Sequence, residues 1–258
     1  SGYSVVNKNH SFRKKWGQNF LADPNLLKRI TRTIDPRPDD LILEIGPGEG
    51  VLTERILSKV KAMVAVEVDP LLIKYLQDQT ELQDLIIIHG DILLQKIDEM
   101  PIENPVRVIG NIPYNITSPI IFWLIEQLDY WSDAFIMMQK EVAERLSANA
   151  GTKAYGRFTV VTRAYLDVEY CFTISPNVFI PRPRVESAIL RFTKKEQPLV
   201  PDSDYLRFNK IVSAAFGQRR KMLRNTLKGW SFPDGAVEKI DFSRRPEDLT
   251  IEEFASLV

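Results

Sequence analysis

The sequence is poor in the residues that build disulfides and metal centres. It contains one cysteine, Cys171, and two histidines, His10 and His89. A single cysteine cannot form an internal disulfide, and so few thiols and imidazoles do not make a typical zinc site. We therefore expect a protein of a reducing compartment, the cytoplasm, that works without a metal.

Long apolar runs are also missing. The longest, residues 119–125, is far shorter than the roughly 20 residues that a membrane-spanning helix needs. Hydrophobic residues make up 44% of the chain and charged residues 26%, which is ordinary for a folded globular protein. These values exclude a disordered or collagen-like chain, and we expect no membrane association.

The net charge is zero, yet the charges are segregated along the chain. Residues 7–32 contain seven Lys or Arg and one acid, whereas residues 39–103 contain fourteen acids and five bases. Residues 205–228 contain seven bases and no acid. Blocks of positive charge near both ends indicate a polyanionic partner such as a nucleic acid. Solvated helix faces explain the same pattern equally well.

Strand-like and helix-like segments alternate through the first part of the chain. Short apolar runs predict strands, at residues 41–45, 63–66, 85–88, 106–109 and 134–138. Helical spacing separates them, and two further β-rich runs, 168–174 and 186–192, follow one another directly. This order predicts an α/β fold with a doubly wound, mostly parallel sheet and an antiparallel pair at one edge.

The composition changes after Phe192. Residues 193–204 are polar and contain proline, as in a linker, and residues 205–228 have helical spacing with a basic face. A last short helix is predicted from Thr250, with Glu253 three residues later as in a capping box. We predict a ligand-binding domain over residues 1–195 and a small helical domain over residues 196–258.

A glycine-rich loop, residues 44–50 (Glu-Ile-Gly-Pro-Gly-Glu-Gly), follows the first of these strands and opens a helix. The next two strands end near acids, Glu67 and Asp91, which are placed to accept hydrogen bonds from a ribose and from an adenine amine. The loop lacks the Lys of a phosphate-binding P-loop, and Glu49 would repel a pyrophosphate. The ligand predicted best is an adenosine without phosphates, S-adenosylmethionine. A purely structural turn is the alternative.

The fourth strand ends in Asn111-Ile112-Pro113-Tyr114. The exocyclic amine of a base is a poor nucleophile, because its lone pair is delocalised into the ring. An Asn oxygen that accepts a hydrogen bond from this amine would direct the lone pair toward a methyl donor, while Tyr114 stacks on the base. Asn-x-Pro is also a common turn, which is the structural alternative.

Five segments together resemble one family, the ribosomal RNA adenine N6-dimethyltransferases. They are residues 15–21 (Lys-Trp-Gly-Gln-Asn-Phe-Leu), the glycine loop, residues 111–114, residues 177–188 (Asn-Val-Phe-Ile-Pro-Arg-Pro-Arg-Val-Glu-Ser-Ala) and residues 215–221 (Ala-Phe-Gly-Gln-Arg-Arg-Lys). The resemblance covers nearly the whole chain and is nearest to the bacterial enzymes that act on small-subunit RNA. It implies a Rossmann-like, S-adenosylmethionine-dependent methyltransferase sheet with a small C-terminal helical domain.

The resemblance also implies roles for individual residues. The cofactor contacts it implies are Asn19, Leu21, Gly46, Glu67, Asp91 and Asn111. Asn111 and Tyr114 would also serve the target amine, and Phe179 would stack on the adenine opposite Tyr114. From the sequence alone, Phe179 is expected to be an exposed aromatic of a proline-punctuated loop, with a core anchor as the alternative.

The implied partners are small-subunit ribosomal RNA and the 30S subunit or its precursor, bound by a monomer. Four bases are predicted on one helix as phosphate contacts: Arg219, Arg220, Lys221 and Arg224. Two alternatives stay open: a large-subunit RNA methyltransferase that confers antibiotic resistance, and an assembly factor whose binding matters more than its catalysis. The segment 155–158 is either a substrate loop or the start of a helix.

Overall fold

The computed structural model describes residues 20, 21 and 23–258. A seven-stranded sheet is formed by β2 (Leu41–Ile45), β3 (Ala62–Glu67), β4 (Ile86–His89), β5 (Val106–Asn111), β6 (Trp131–Gln139), β7 (Leu166–Ile174) and β9 (Ser187–Lys194). The order of the strands across this sheet is β4-β3-β2-β5-β6-β9-β7. A separate two-stranded pair joins β1 (Phe20–Leu21) to β8 (Phe179–Ile180).

The central strands are parallel, as predicted. Strand β2 pairs in parallel with β3 on one side and with β5 on the other. Strand β3 in turn pairs in parallel with β4, and β5 pairs in parallel with β6. Strands β2 and β3 are buried almost throughout, which is why they are continuous apolar runs and not alternating ones.

Strand β9 runs in the opposite direction and gives the predicted antiparallel edge. The Lys140 N–H donates to the Glu186 carbonyl at 3.0 Å, so the end of β6 lies beside the start of β9. The Lys195 N–H donates to the Tyr165 carbonyl at 3.0 Å, so the end of β9 lies beside the start of β7. Both contacts are those of antiparallel neighbours.

Helices α1 (Pro24–Ile34), α2 (Val51–Leu57), α3 (Pro70–Gln77) and α4 (Thr117–Glu126) connect these strands. Two of them start in the same way, with an Asp side chain that accepts a backbone N–H and a Pro at the first helical position. Asp23 accepts from Asn25 at 3.1 Å, and Asp69 accepts from Leu71 at 2.9 Å. These starts fix where each helix leaves the sheet.

The chain forms two compact units. The first comprises the described residues up to Lys140 together with Glu169–Phe192, and the second comprises Glu141–Val168 together with Thr193–Val258. The division differs from the single boundary after residue 195 that the composition indicates. Residues 141–165 precede the last two sheet strands along the chain, and residues 166–168 begin β7, but all of them group with the C-terminal helices.

The second unit is helical around an aromatic core. Its helices are α5 (Lys140–Leu146, of which Lys140 belongs to the first unit), α6 (Arg157–Tyr165), α7 (Tyr205–Phe216), α8 (Leu223–Thr226), α9 (Ala236–Lys239) and α10 (Ile251–Ala255). The Phe216 ring lies 6.1 Å from that of Tyr155 and 5.6 Å from that of Phe254. Tyr155 is buried and donates to the Leu249 carbonyl at 2.6 Å. Helix α6 begins at Arg157 with Gly156 as its N-cap, so residues 155–158 are a helix start.

One helix prediction is wrong and one is confirmed. Residues 205–228 are not a single helix, because α7 ends at Phe216, turns follow, and Met222 is extended before the short α8. The break buries Leu223, whose N–H donates to the Arg244 carbonyl at 2.9 Å. The Thr250–Glu253 capping box begins the last helix as expected. Among the described residues, no helix is both long and apolar enough to span a bilayer.

Candidate active site

The ends of four neighbouring parallel strands bring most of the predicted site residues to one edge of the sheet. Gly46 follows β2, Glu67 ends β3, Asp91 lies two residues beyond β4, and Asn111 ends β5. In the register of the sheet, Ile45 lies opposite both Val66 and Gly110. Ligands of open α/β sheets bind at this edge.

The glycine loop needs glycine for its backbone conformation. Gly46, Gly48 and Gly50 have φ angles of 65°, 60° and 81°, in the left-handed region that other residues rarely adopt. A Cβ on Gly50 would also come within 2.9 Å of the Leu76 and Leu82 side chains. The loop therefore curls tightly before α2, with its backbone close to the strand ends.

Two adjoining cavities open at this edge. Cavity A is lined by residues that include Leu21, Glu44, Gly46, Asn111, Pro113, Tyr114 and Phe179. Cavity B is lined by residues that include Gly46, Glu67, Asp91, Ile92, Asn111, Pro113 and Asn115. Gly46, Asn111 and Pro113 line both. The end of β5 is thus the junction between the cavities.

Glu67 presents an unsatisfied oxygen in the wall of cavity B. Its Oε2 accepts the N–H groups of Val68 and Asp69 at 2.8 and 3.0 Å. Its Oε1 is buried and has no hydrogen-bond partner among the described residues. Burial is the main cause that raises the pKa of this carboxyl, against those two hydrogen bonds, which lower it. A buried acceptor without a donor is costly, so this oxygen suits a ligand hydroxyl.

Asp91 lies at the exposed lip of the same cavity. Its Oδ1 accepts the Leu93 N–H at 3.0 Å and begins a short 3₁₀ turn that buries Ile92. This turn holds the Asp91 side chain beside the wall that Ile92 contributes.

The Asn111–Tyr114 segment exposes its aromatic residue and buries its aliphatic one. Ile112 is 5% exposed, and its N–H donates to the Met137 carbonyl at 3.3 Å. Pro113 precedes a 3₁₀ turn that leads into α4, and Tyr114 is 63% exposed at the rim of cavity A. The half-buried Asn111 thus lies below an aromatic side chain that is accessible to a ligand.

Phe179 is not the exposed aromatic that its loop context predicts. It is 4% exposed and belongs to the main hydrophobic core. Strand β8 places it opposite Leu21 of β1, and both side chains line cavity A. Phe179 is therefore a wall of the cavity as well as a packing residue.

Glu44 is a site residue that sequence reasoning did not single out. It is buried in the wall of cavity A and accepts a hydrogen bond from the Thr53 hydroxyl. Burial raises its pKa to about 7, with a smaller contribution from the nearby Glu67, while the Thr53 hydrogen bond lowers it. The signal in the sequence was a lone acid inside the otherwise apolar strand β2.

The predicted basic cluster of the second unit is divided between a turn and a short helix. Arg219 donates to the Tyr155 carbonyl at 2.7 Å and pairs with Glu247 at 3.5 Å. Arg220, Lys221 and Arg224 are exposed, in the turn after α7 and in α8. They are therefore not on one helix, and Arg219 has a structural partner.

Two further expectations concern Asn19 and metals. Asn19 lies outside the described residues. Across residues 20, 21 and 23–258, no group of three or more His, Cys, Asp or Glu side chains could hold a metal ion.

The sequence of the chain is similar to those of ribosomal RNA methyltransferases. Residues 9–258 match the family described as ribosomal RNA adenine dimethylase. The protein of Alcanivorax borkumensis named ribosomal RNA small subunit methyltransferase A is 40% identical over 252 residues, 97% of this chain and 90% of the relative. The protein of the same name from Flavobacterium johnsoniae is 42% identical over 246 residues, 95% of this chain and 94% of the relative.

Two solved structures share the fold over nearly the whole chain. A dimethyladenosine transferase from Plasmodium falciparum has a TM-score of 0.77 at 25% identity, covering 92% of this chain and 95% of its own. The 23S rRNA methyltransferase ErmE has a TM-score of 0.67 at 28% identity, covering 93% of this chain and 98% of its own.

Proposed function

The chain belongs to the ribosomal RNA adenine dimethylase family, and from this premise we propose that it methylates N6 of two adjacent adenosines near the 3′ end of small-subunit ribosomal RNA. Each adenosine receives two methyl groups from S-adenosylmethionine. The observation that carries the proposal is the junction at Asn111, which lines both cavities. A donor in cavity B and an acceptor base in cavity A would meet beside this side chain.

Cavity B fits the adenosine part of S-adenosylmethionine, which supplies an electrophilic methyl group on its sulfonium. The unpartnered Oε1 of Glu67 would accept a hydrogen bond from a ribose hydroxyl. Asp91, at the lip, would accept a hydrogen bond from the adenine amine. Gly46 and Leu21 would contact the amino-acid end of the cofactor, which extends toward cavity A, and Asn19 would be a further contact. The residues present suit this cofactor because they offer acceptors and no cradle for phosphates.

Cavity A would hold the target adenine. The Asn111 side-chain oxygen would accept a hydrogen bond from the N6 amine, which localises the nitrogen lone pair toward the methyl group. The exposed Tyr114 ring would stack on one face of the base, and Phe179 would form the opposing wall. The catalytic contribution of these residues is positional and electrostatic, without a covalent enzyme intermediate.

The choice of small-subunit RNA is supported by the names of two relatives. Two proteins named ribosomal RNA small subunit methyltransferase A are 40% and 42% identical to the chain, whereas the 23S rRNA methyltransferase ErmE is 28% identical. We propose the 30S subunit or its precursor as the partner, bound in the cytoplasm by one copy of the chain. Arg220, Lys221 and Arg224 would contact phosphates from the second unit.

The Asn111→Ala variant tests the site. Loss of one oriented polar group that acts in a transition state costs about 10²-fold or more in rate. With saturating S-adenosylmethionine, methyl transfer to unmethylated small subunits should fall by that factor, while calorimetric binding of S-adenosylhomocysteine persists. Asn149→Ala, at an exposed asparagine of the second unit, is the matched control. Transfer by Asn111→Ala within a few-fold of wild type would remove Asn111 from the reaction.

A further inference from the structure

A wide groove runs between helices α1 and α2 of the first unit, on a part of the surface that the proposed site does not use. Its lining includes four cations: Lys28 and Arg32 of α1, Arg55 of α2, and Lys59 in the turn after α2. Lys28 and Arg32 have the i, i+4 spacing that puts two side chains on one face of a helix.

These four cations have no protein partner in the described part of the chain. None of them forms an ion pair within 4.0 Å or a side-chain hydrogen bond with another described residue. Their neighbour Arg29 is different, because its guanidinium lies 3.9 Å from the centre of the Phe172 ring and packs on the core. The groove therefore gathers cations that do not serve to hold the described fold together.

The groove retains a positive balance although it contains acids. Glu54 and Glu81 also line it, two acids against the four bases. The positive balance comes from α1, because Glu54 and Glu81 balance the two bases of the α2 region and leave Lys28 and Arg32 in excess. A groove with a net positive charge attracts a polyanion.

The groove adjoins cavity A at one residue. Val51, the first residue of α2, lines both of them and is 38% exposed. A strand whose base enters cavity A would therefore find the positive groove next to the glycine-loop side of that cavity. Contacts to phosphates fix the position of a nucleic acid on a protein, while other residues contact its bases.

We propose that this groove binds the phosphodiester backbone of the RNA next to the target adenosines. The inference rests on the proposed function and adds to it a second RNA surface, distinct from the exposed bases of the second unit. Lys28, Arg32, Arg55 and Lys59 contact phosphates, and they position the strand so that its base reaches Asn111. An acidic protein segment is the competing occupant, and its binding would leave the affinity for RNA unchanged when the groove is altered.

The test removes the four charges together. The groove variant is Lys28→Gln/Arg32→Gln/Arg55→Gln/Lys59→Gln, and two double variants, Lys28→Gln/Arg32→Gln and Arg55→Gln/Lys59→Gln, replace it if it does not fold. The charge-matched control changes four other exposed lysines without ion pairs among the described residues: Lys61→Gln/Lys74→Gln/Lys96→Gln/Lys194→Gln. Binding to unmethylated small subunits is measured from low to high salt, together with methyl-transfer kinetics and S-adenosylhomocysteine affinity.

The groove variant should bind small subunits about tenfold or more weakly at 0.1 M salt. Its plot of log affinity against log salt should be flatter by roughly 0.7–0.9 for each phosphate that the variant no longer neutralises. KM for subunits should rise by the same factor, with kcat at saturating subunits and S-adenosylhomocysteine affinity unchanged. Equal slopes and KM values for the groove and control variants would overturn the inference. Failure of the proposed function is a different result, absence of methyl transfer by the wild-type protein.

Discussion

Replacing Glu44 by glutamine should make the protein's stability less sensitive to pH. Glu44 is a buried carboxyl in the wall of cavity A, and burial raises its pKa from 4.5 to about 7. Glutamine has nearly the same shape, can still accept a hydrogen bond from the Thr53 hydroxyl, and carries no titratable proton. The comparison therefore isolates the cost of ionising one buried group.

The sign follows from which state holds the proton. The folded protein keeps the Glu44 proton up to about pH 7, whereas the unfolded chain releases it near pH 4.5. The contribution of this group to stability is fully present below pH 4.5 and is lost as the pH rises through 7. One pKa unit corresponds to about 1.4 kcal/mol, so the whole effect is about 3 kcal/mol, of which roughly 2.5 kcal/mol falls between pH 5 and pH 8.

Urea unfolding at pH 5 and pH 8 measures this quantity. The free energy of unfolding of Glu44→Gln minus that of wild type should be more positive at pH 8 than at pH 5, by about 2–3 kcal/mol. The variant is then the more stable protein, relative to wild type, at high pH. Glu99→Gln, at an exposed carboxyl, is the matched control. If the unfolding free energies of Glu44→Gln and wild type differ by the same amount at pH 5 and at pH 8, Glu44 is not held in its neutral form by burial.

The remaining predictions separate packing from RNA binding. Phe179→Leu keeps an apolar wall and should leave S-adenosylhomocysteine affinity unchanged, while KM for small subunits rises about tenfold because the stacking is weakened; a parallel loss of cofactor affinity would make Phe179 a packing residue only. Arg219→Ala removes a charged hydrogen bond from a buried tyrosine carbonyl and should lower the free energy of unfolding by about 1–2 kcal/mol; unchanged stability would show that this hydrogen bond contributes little. Arg220→Ala/Lys221→Ala/Arg224→Ala should leave stability unchanged but flatten the salt dependence of subunit binding by a little under one for each phosphate no longer neutralised, and an unchanged slope would exclude these bases from the RNA surface.

The parallel sheet could be predicted because its signals are local. A strand buried on both faces is a continuous apolar run, as in Met63–Val66, and Asp69-Pro70 marks the start of a helix by itself. The edge at which these strands end then follows from parallel pairing. For this reason the sequence alone is enough to predict that Gly46, Glu67 and Asn111 lie at the same edge of the sheet.

Other features depend on contacts between distant parts of the chain. The burial of Phe179 comes from pairing of β8 with β1, whose residues lie near the start of the sequence. The second unit takes residues 141–168, which lie between β6 and the middle of β7, and the composition of that segment does not mark the change. After α7 ends at Phe216, Leu223 is buried and its N–H bonds the distant Arg244 carbonyl. Helical periodicity alone could not reveal such long-range packing.

The most direct test of the central claim is to map the methylated nucleotides. The protein is incubated with labelled S-adenosylmethionine and with unmethylated small subunits or large subunits, and the RNA is digested and analysed by mass spectrometry. The proposed function predicts N6,N6-dimethyladenosine at two adjacent adenosines near the 3′ end of small-subunit RNA, and no label in large subunits. Methyl groups in large-subunit RNA, or at another atom of the small-subunit RNA, would contradict it.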